Sequence, residues 1–140
     1  MPKFQFRLDR VLGFRQLQEK WAREAYLAAR AERLEAEDEA HQIETRKLGL
    51  LGDSALSLSS RMALEMALNR LDDDFRAQRE VVGVLESEED RLHDLWVASK
   101  SELESIEKLR VKKKEEWSVE EGRRLQTELD EWAVTRRPLA

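Results

Sequence analysis

Few side chains in this sequence are of the kinds that do chemistry. His41 and His93 are the only histidines, cysteine is absent, and carboxylates gather at Glu35, Glu37, Asp38 and Glu39 and again at Asp72, Asp73 and Asp74. Histidines and paired acids are the raw material of a metal site or of general acid/base catalysis, but both uses need a concave site where the groups converge. The patterns GxxxxGK, GxGxxG, GxSxG and HExxH do not occur, which removes the usual phosphate-cradling, acyl-transfer and zinc-hydrolase arrangements. The acidic runs therefore read as solvated helix faces, and no enzyme activity, metal or cofactor is expected. Lys108, Arg110, Lys112, Lys113 and Lys114 form a basic run that could neutralise phosphates. The net charge of −5 and the lack of a base-reading element oppose nucleic acid as a partner. What remains is apolar. Trp117, Leu125, Leu129 and Trp132 follow one another at steps of eight, four and three, on or near one helical face, among arginines and lysines. That residue mix is enriched where proteins bind proteins.

Helices must position these residues. Ala, Glu, Lys, Leu and Arg supply 81 of the 140 residues, about 58%, above the level that marks long helices when the apolar spacing agrees. Proline stands only at positions 2 and 138, so nothing between them interrupts a helix by ring clash or a missing amide. Breaker and turn residues gather in one place, residues 49–60 (GLLGDSALSLSS). The expected organisation is a first helix over about 9–48, a turn over 49–60 and a second helix over about 61–136. Arg136 and Arg137 suit the negative end of that helix, and Pro138 would stop it.

The clearest periodicity lies in the second helix. Steps of four and three from Leu64 visit Leu68, Leu71, Phe75, Gln78, Val82, Leu85, Glu89, Leu92, Trp96, Ser99, Leu103 and Ile106, an unbroken heptad seam. The first helix is less regular; its stripe is traced through Leu27, Ala31, Leu34, Thr45 and Leu48, with alanines allowing close approach. Folding back near residue 55 sets Leu48 near Ala63 and Leu8 near Leu103, and brings residues 35–39 beside 72–76 as a negative belt. The fold class is thus all-α: a long antiparallel two-helix coiled-coil hairpin whose second helix overhangs the first from about residue 107. On this register Trp117, Leu125, Leu129 and Trp132 have no partner within the chain. Lys3, Arg7, Arg10 and Arg15 lie near the basic run, so the end bearing the N-terminus is positive. Gly83 and Gly122 are expected to weaken the helix locally. Every apolar run near the N-terminus is interrupted by charge, and no stretch is long enough to span a bilayer. With no cysteine, a reducing cytoplasmic setting is expected.

The opening FQFRLDRVLGFRQLQE, through Phe4, Phe6, Arg7, Leu8 and Leu12, resembles the start of flagellar export proteins of the FliJ family. RLDDDFRAQREVV and IEKLRVKKKEEWSVEEGRRLQTELDEWAVTRR are similar to that family's second helix, so the resemblance covers nearly the whole chain. It implies a non-enzymatic stalk of a type III export apparatus, peripheral at the cytoplasmic face of the inner membrane. Such a stalk inserts its paired-terminus end into a hexameric export ATPase, promotes ring assembly, and touches the export gate membrane protein and substrate chaperones. The residues so assigned to the ATPase-facing end are Phe4, Phe6, Arg7, Leu8, Arg110, Lys112, Lys113, Lys114, Trp117, Leu125, Leu129 and Trp132. The free protein is expected to be a monomer. The alternative is a chaperone or adaptor hairpin that binds export substrates without an ATPase.

Overall fold

In the computed structural model, which describes residues 2–52 and 58–136, the chain forms two helices, α1 (Asp9–Leu51) and α2 (Leu58–Arg136), and no strand among the described residues. The fold is the all-α helical hairpin that an Ala-, Glu- and Leu-rich chain without internal proline dictates. At the start of α1 the Asp9 amide donates to the Phe6 carbonyl at 3.1 Å and the Leu12 amide to the Leu8 carbonyl at 2.8 Å. The Asp9 carboxylate stands in the first turn, where it opposes the positive end of the helix dipole. Gly49, Ser59 and Ser60, expected in the turn, are helical instead. Residues 53–57 and the proposed stop at Arg137 and Pro138 lie outside the described residues. Through Gly83 and Gly122, α2 continues without a break.

Every position of the α2 seam from Leu64 to Ile106 is buried or half-buried, and Val82 is fully enclosed. The α1 stripe is corrected. Leu27, Ala31, Leu34, Thr45 and Leu48 are all exposed. The face that packs runs through Leu12, Arg15, Glu19, Ala22, Tyr26, Ala29, Arg33, Ala36, Ala40, Ile43, Lys47 and Leu50, also at steps of three and four. Its core members Ala29, Ala36 and Ala40 are among the most buried residues of the chain. Small side chains let α1 approach the larger residues of α2, whereas a stripe of leucines would have held the backbones apart.

Contacts divide the chain into two units. Lys20–Val97 is one, built from parts of both helices. Here Tyr26 stacks on Trp96 with ring centroids 5.5 Å apart, and His93 meets the Tyr26 ring edge-on at 5.3 Å. The Gln78 amide donates to the Ala36 carbonyl at 3.0 Å, Arg33 pairs with Glu89 as well as with Glu37, and Lys47 pairs with Asp72. These contacts overturn the expected register. Lys47 stands directly before Leu48, yet its partner Asp72 lies about nine residues beyond Ala63. The negative belt goes with it, because Asp72 faces Lys47 while Ala36, inside the first acidic cluster, faces Gln78. Folding symmetrically about the turn ignores side-chain shape; the observed register seats tyrosine on tryptophan and leaves Ala36 opposite Gln78.

The other unit comprises Met1–Glu19 and Ala98–Ala140. In it Arg15 pairs with Glu102, Leu12 is buried, and the residues ahead of α1 run along α2.

Candidate partner-binding end

The candidate site lies in the unit that contains the N-terminus. The segment before Asp9 is not helical, and its alternation of side chains turns Phe4, Phe6 and Leu8 inward while Lys3, Gln5 and Arg7 stay exposed. An extended strap presenting every second residue to a helix is how such a short apolar segment covers a surface. The Phe4 ring packs on Trp117 with centroids 5.9 Å apart, tilted by 56°. Arg110 places its guanidinium 5.9 Å from the centre of the same phenyl ring, within cation–π range. An open groove lined by Phe4, Phe6, Arg7, Leu8, Lys113 and Trp117 results.

This arrangement corrects one expectation. Trp117 has a partner within the chain and is half-buried, because the observed register carries the N-terminal strap about ten residues further along α2 than folding about residue 55 allows. Of the aromatic residues near the N-terminus, Phe14 instead faces solvent.

Beyond Glu121 the seam ends. All residues from 122 to 136 are exposed. Leu125, Leu129 and Trp132 are 45%, 59% and 58% accessible and lie on or near one helix face. Arg136 lies 5.1 Å from the centre of the Trp132 indole. Arg124 donates to Glu121 at 2.9 Å and to Glu128 at 3.3 Å; the hydrogen bond to Glu121, then the two negative charges, raise its pKa above the ordinary arginine value. Lys112 and Lys114 are exposed on α2, and Lys113 reaches Glu116 at 3.4 Å. The structure thus gathers Phe4, Phe6, Arg7, Leu8, Lys113 and Trp117 in one groove with Arg110 against the Phe4 ring, and leaves Leu125, Leu129 and Trp132 as a separate uncovered face.

Sequence reasoning missed the ion pairs between the helices, Arg15 with Glu102 at the edge of the seam and Arg33 with Glu89 within it. Counting alanines by heptad position points to the two arginines, since Ala22, Ala29 and Ala36 share one register with Arg15 and Ala40 shares the other with Arg33. Among the described residues no three metal-type ligands converge, and no helix is long and apolar enough to cross a membrane.

A family model for the flagellar FliJ protein matches residues 4–137, nearly the whole chain. The chain belongs to the FliJ family. It is accordingly a component of the flagellar type III export machinery, and both the strap and the uncovered face fall inside the region that carries the family match. Comparison with curated proteins and with solved structures returned no match.

Proposed function

We propose that this FliJ-family protein is a non-catalytic stalk that binds the hexameric export ATPase through its terminus-bearing end and promotes assembly of the ATPase ring. The observation that carries this reading is the uncovered Leu125, Leu129 and Trp132 face beside an exposed basic stretch, Lys112–Lys114 in sequence. An apolar patch on the same helix as exposed bases suits a partner that buries indole and leucine at its centre and meets the lysines at its rim. The strap residues Phe4, Phe6, Arg7 and Leu8, with Arg110 and Trp117, hold the base of that end together and offer a groove of their own. Through the same protein the ring is coupled to the export gate membrane protein and to substrate chaperones, at the cytoplasmic face of the membrane.

Adding the purified protein to the purified export ATPase is expected to raise its hydrolysis rate and its hexamer fraction. Trp132→Ala and Leu129→Ala together should weaken the effect, since neither side chain packs against α1 and their loss leaves the fold intact. Unchanged hydrolysis and an unchanged ring population at saturating protein would rule the proposal out. Binding to unfolded export substrates under those same conditions would favour the chaperone or adaptor reading instead.

A further inference from the structure

The strap ahead of α1 is fastened unevenly. At its α1 end the Phe6 and Leu8 carbonyls accept from the Asp9 amide at 3.1 Å and the Leu12 amide at 2.8 Å. Among the described residues no backbone hydrogen bond joins the strap to α2. Its outer part is held instead by the Phe4 ring, 5.9 Å from Trp117 and as far from the Arg110 guanidinium. Phe4, Phe6 and Leu8 are only half-buried, and the residues between them are exposed. Fixing an extended segment costs backbone entropy at every residue. Here one aromatic pair, one cation–π contact and three partly buried side chains stand against that cost. The balance is close, so the strap is the part of this unit that opens at least cost, pivoting at Phe6 and Leu8.

What the strap covers gives this opening a consequence. Counted round α2 from Trp117, Trp132 lies about 60° away, Leu125 about 80° and Leu129 about 120°. The half-buried Trp117 therefore begins the same face that Leu125, Leu129 and Trp132 continue uncovered. We propose that the strap is a releasable cover. Docked, it withholds Trp117 from a partner; peeled back from Phe4 to its pivot, it adds that indole to the uncovered face. The proposal rests on the reading of that face as the one the export ATPase binds, and the ATPase is the occupant that competes with Phe4. An apolar side chain of the ATPase replaces the Phe4 ring on Trp117, while the freed strap regains its backbone entropy. Release and binding are thus coupled: holding the strap down weakens the partner, and loosening it strengthens the partner.

Limited trypsin digestion of the full chain reads release without any partner, because a protease needs an undocked, extended substrate. Cleavage after Arg7 should be severalfold faster in Phe4→Ala than in the wild type; equal rates would mean that the Phe4 contact does not hold the strap, and the proposal falls. With the purified ATPase, the readout is the concentration of this protein that gives half-maximal stimulation. Phe4→Ala should lower it by about threefold or more, as expected when the competent state becomes more populated. The chain has no native cysteine, and Gln5 and Glu116 both line the groove, so Gln5→Cys with Glu116→Cys can be bridged by a short bis-maleimide. The bridged protein should need a several-fold higher concentration than the same variant with its two thiols capped singly. Bridged and capped proteins acting alike, or Phe4→Ala acting more weakly than the wild type, would overturn the proposal and leave the ATPase reading standing. No stimulation by any of these proteins would sink the ATPase reading and this one with it.

Discussion

Arg33 and Glu89 are the most consequential polar residues of the packed seam. The guanidinium donates to the carboxylate through Nε, with a second contact from Nη2 to Oε1 at 3.4 Å, and their side chains retain only 19% and 12% of their accessibility. The hydrogen bond to Glu89 outweighs the cost of burial and raises the Arg33 pKa above its ordinary value. Breaking such a pair leaves one charge among apolar neighbours, whereas replacing both removes the problem. Arg33→Ala is therefore expected to lower the melting temperature clearly, and Arg33→Met with Glu89→Leu to bring it back to the wild-type value or above, as followed by circular dichroism. At Val82, which is wholly buried, removal of two methyl groups should cost about 2 kcal/mol in urea unfolding. A loss near zero there would mean that the helices separate without disturbing the seam.

At the scale of elements, α2 is held in different ways along its length. From Leu64 to Ile106 it is paired; from 122 onward it relies on its own hydrogen bonds and on side-chain pairs such as Gln126 with Asp130 at 3.1 Å and Arg124 with Glu128 at 3.3 Å. Such pairs contribute only tenths of a kcal/mol each. Gly83 and Gly122 sit in these two settings, and a Cβ at either would meet nothing within 4 Å. Gly83→Ala should therefore stabilise cooperative unfolding by roughly 0.5–1 kcal/mol, the difference in helix propensity. The same change at Gly122 should increase ellipticity at low temperature and leave the main transition where it is. Equal shifts of that transition for the two variants would show that the far part of α2 unfolds together with the paired part.

For the whole molecule, burial differs between the seam and the end of α2, and amide exchange should follow it. Backbone amides between 64 and 106 should exchange through global unfolding, and those between 122 and 136 through local opening, measurably faster in deuterium exchange read by mass spectrometry. Addition of the export ATPase should slow exchange in the second group selectively. The net charge of −5 conceals an uneven distribution, since Lys108, Arg110, Lys112, Lys113 and Lys114 fall within seven residues of each other. Uneven charge of this kind orients an approaching partner and makes association sensitive to salt.

Two helices without strands followed from composition and the placement of two prolines, because helix formation is a local matter of backbone freedom. The α2 seam was equally legible, since its apolar residues are large and regularly spaced. The α1 seam was not. Seven of its twelve packing positions are alanine, arginine or lysine, and large apolar residues elsewhere on the helix form a louder pattern that turns out to face solvent. Register was likewise beyond the sequence, because it depends on which large side chain fits against which small one across the pair. That fit placed Trp117 under Phe4, while Leu125, Leu129 and Trp132 stayed uncovered as their spacing and position had indicated.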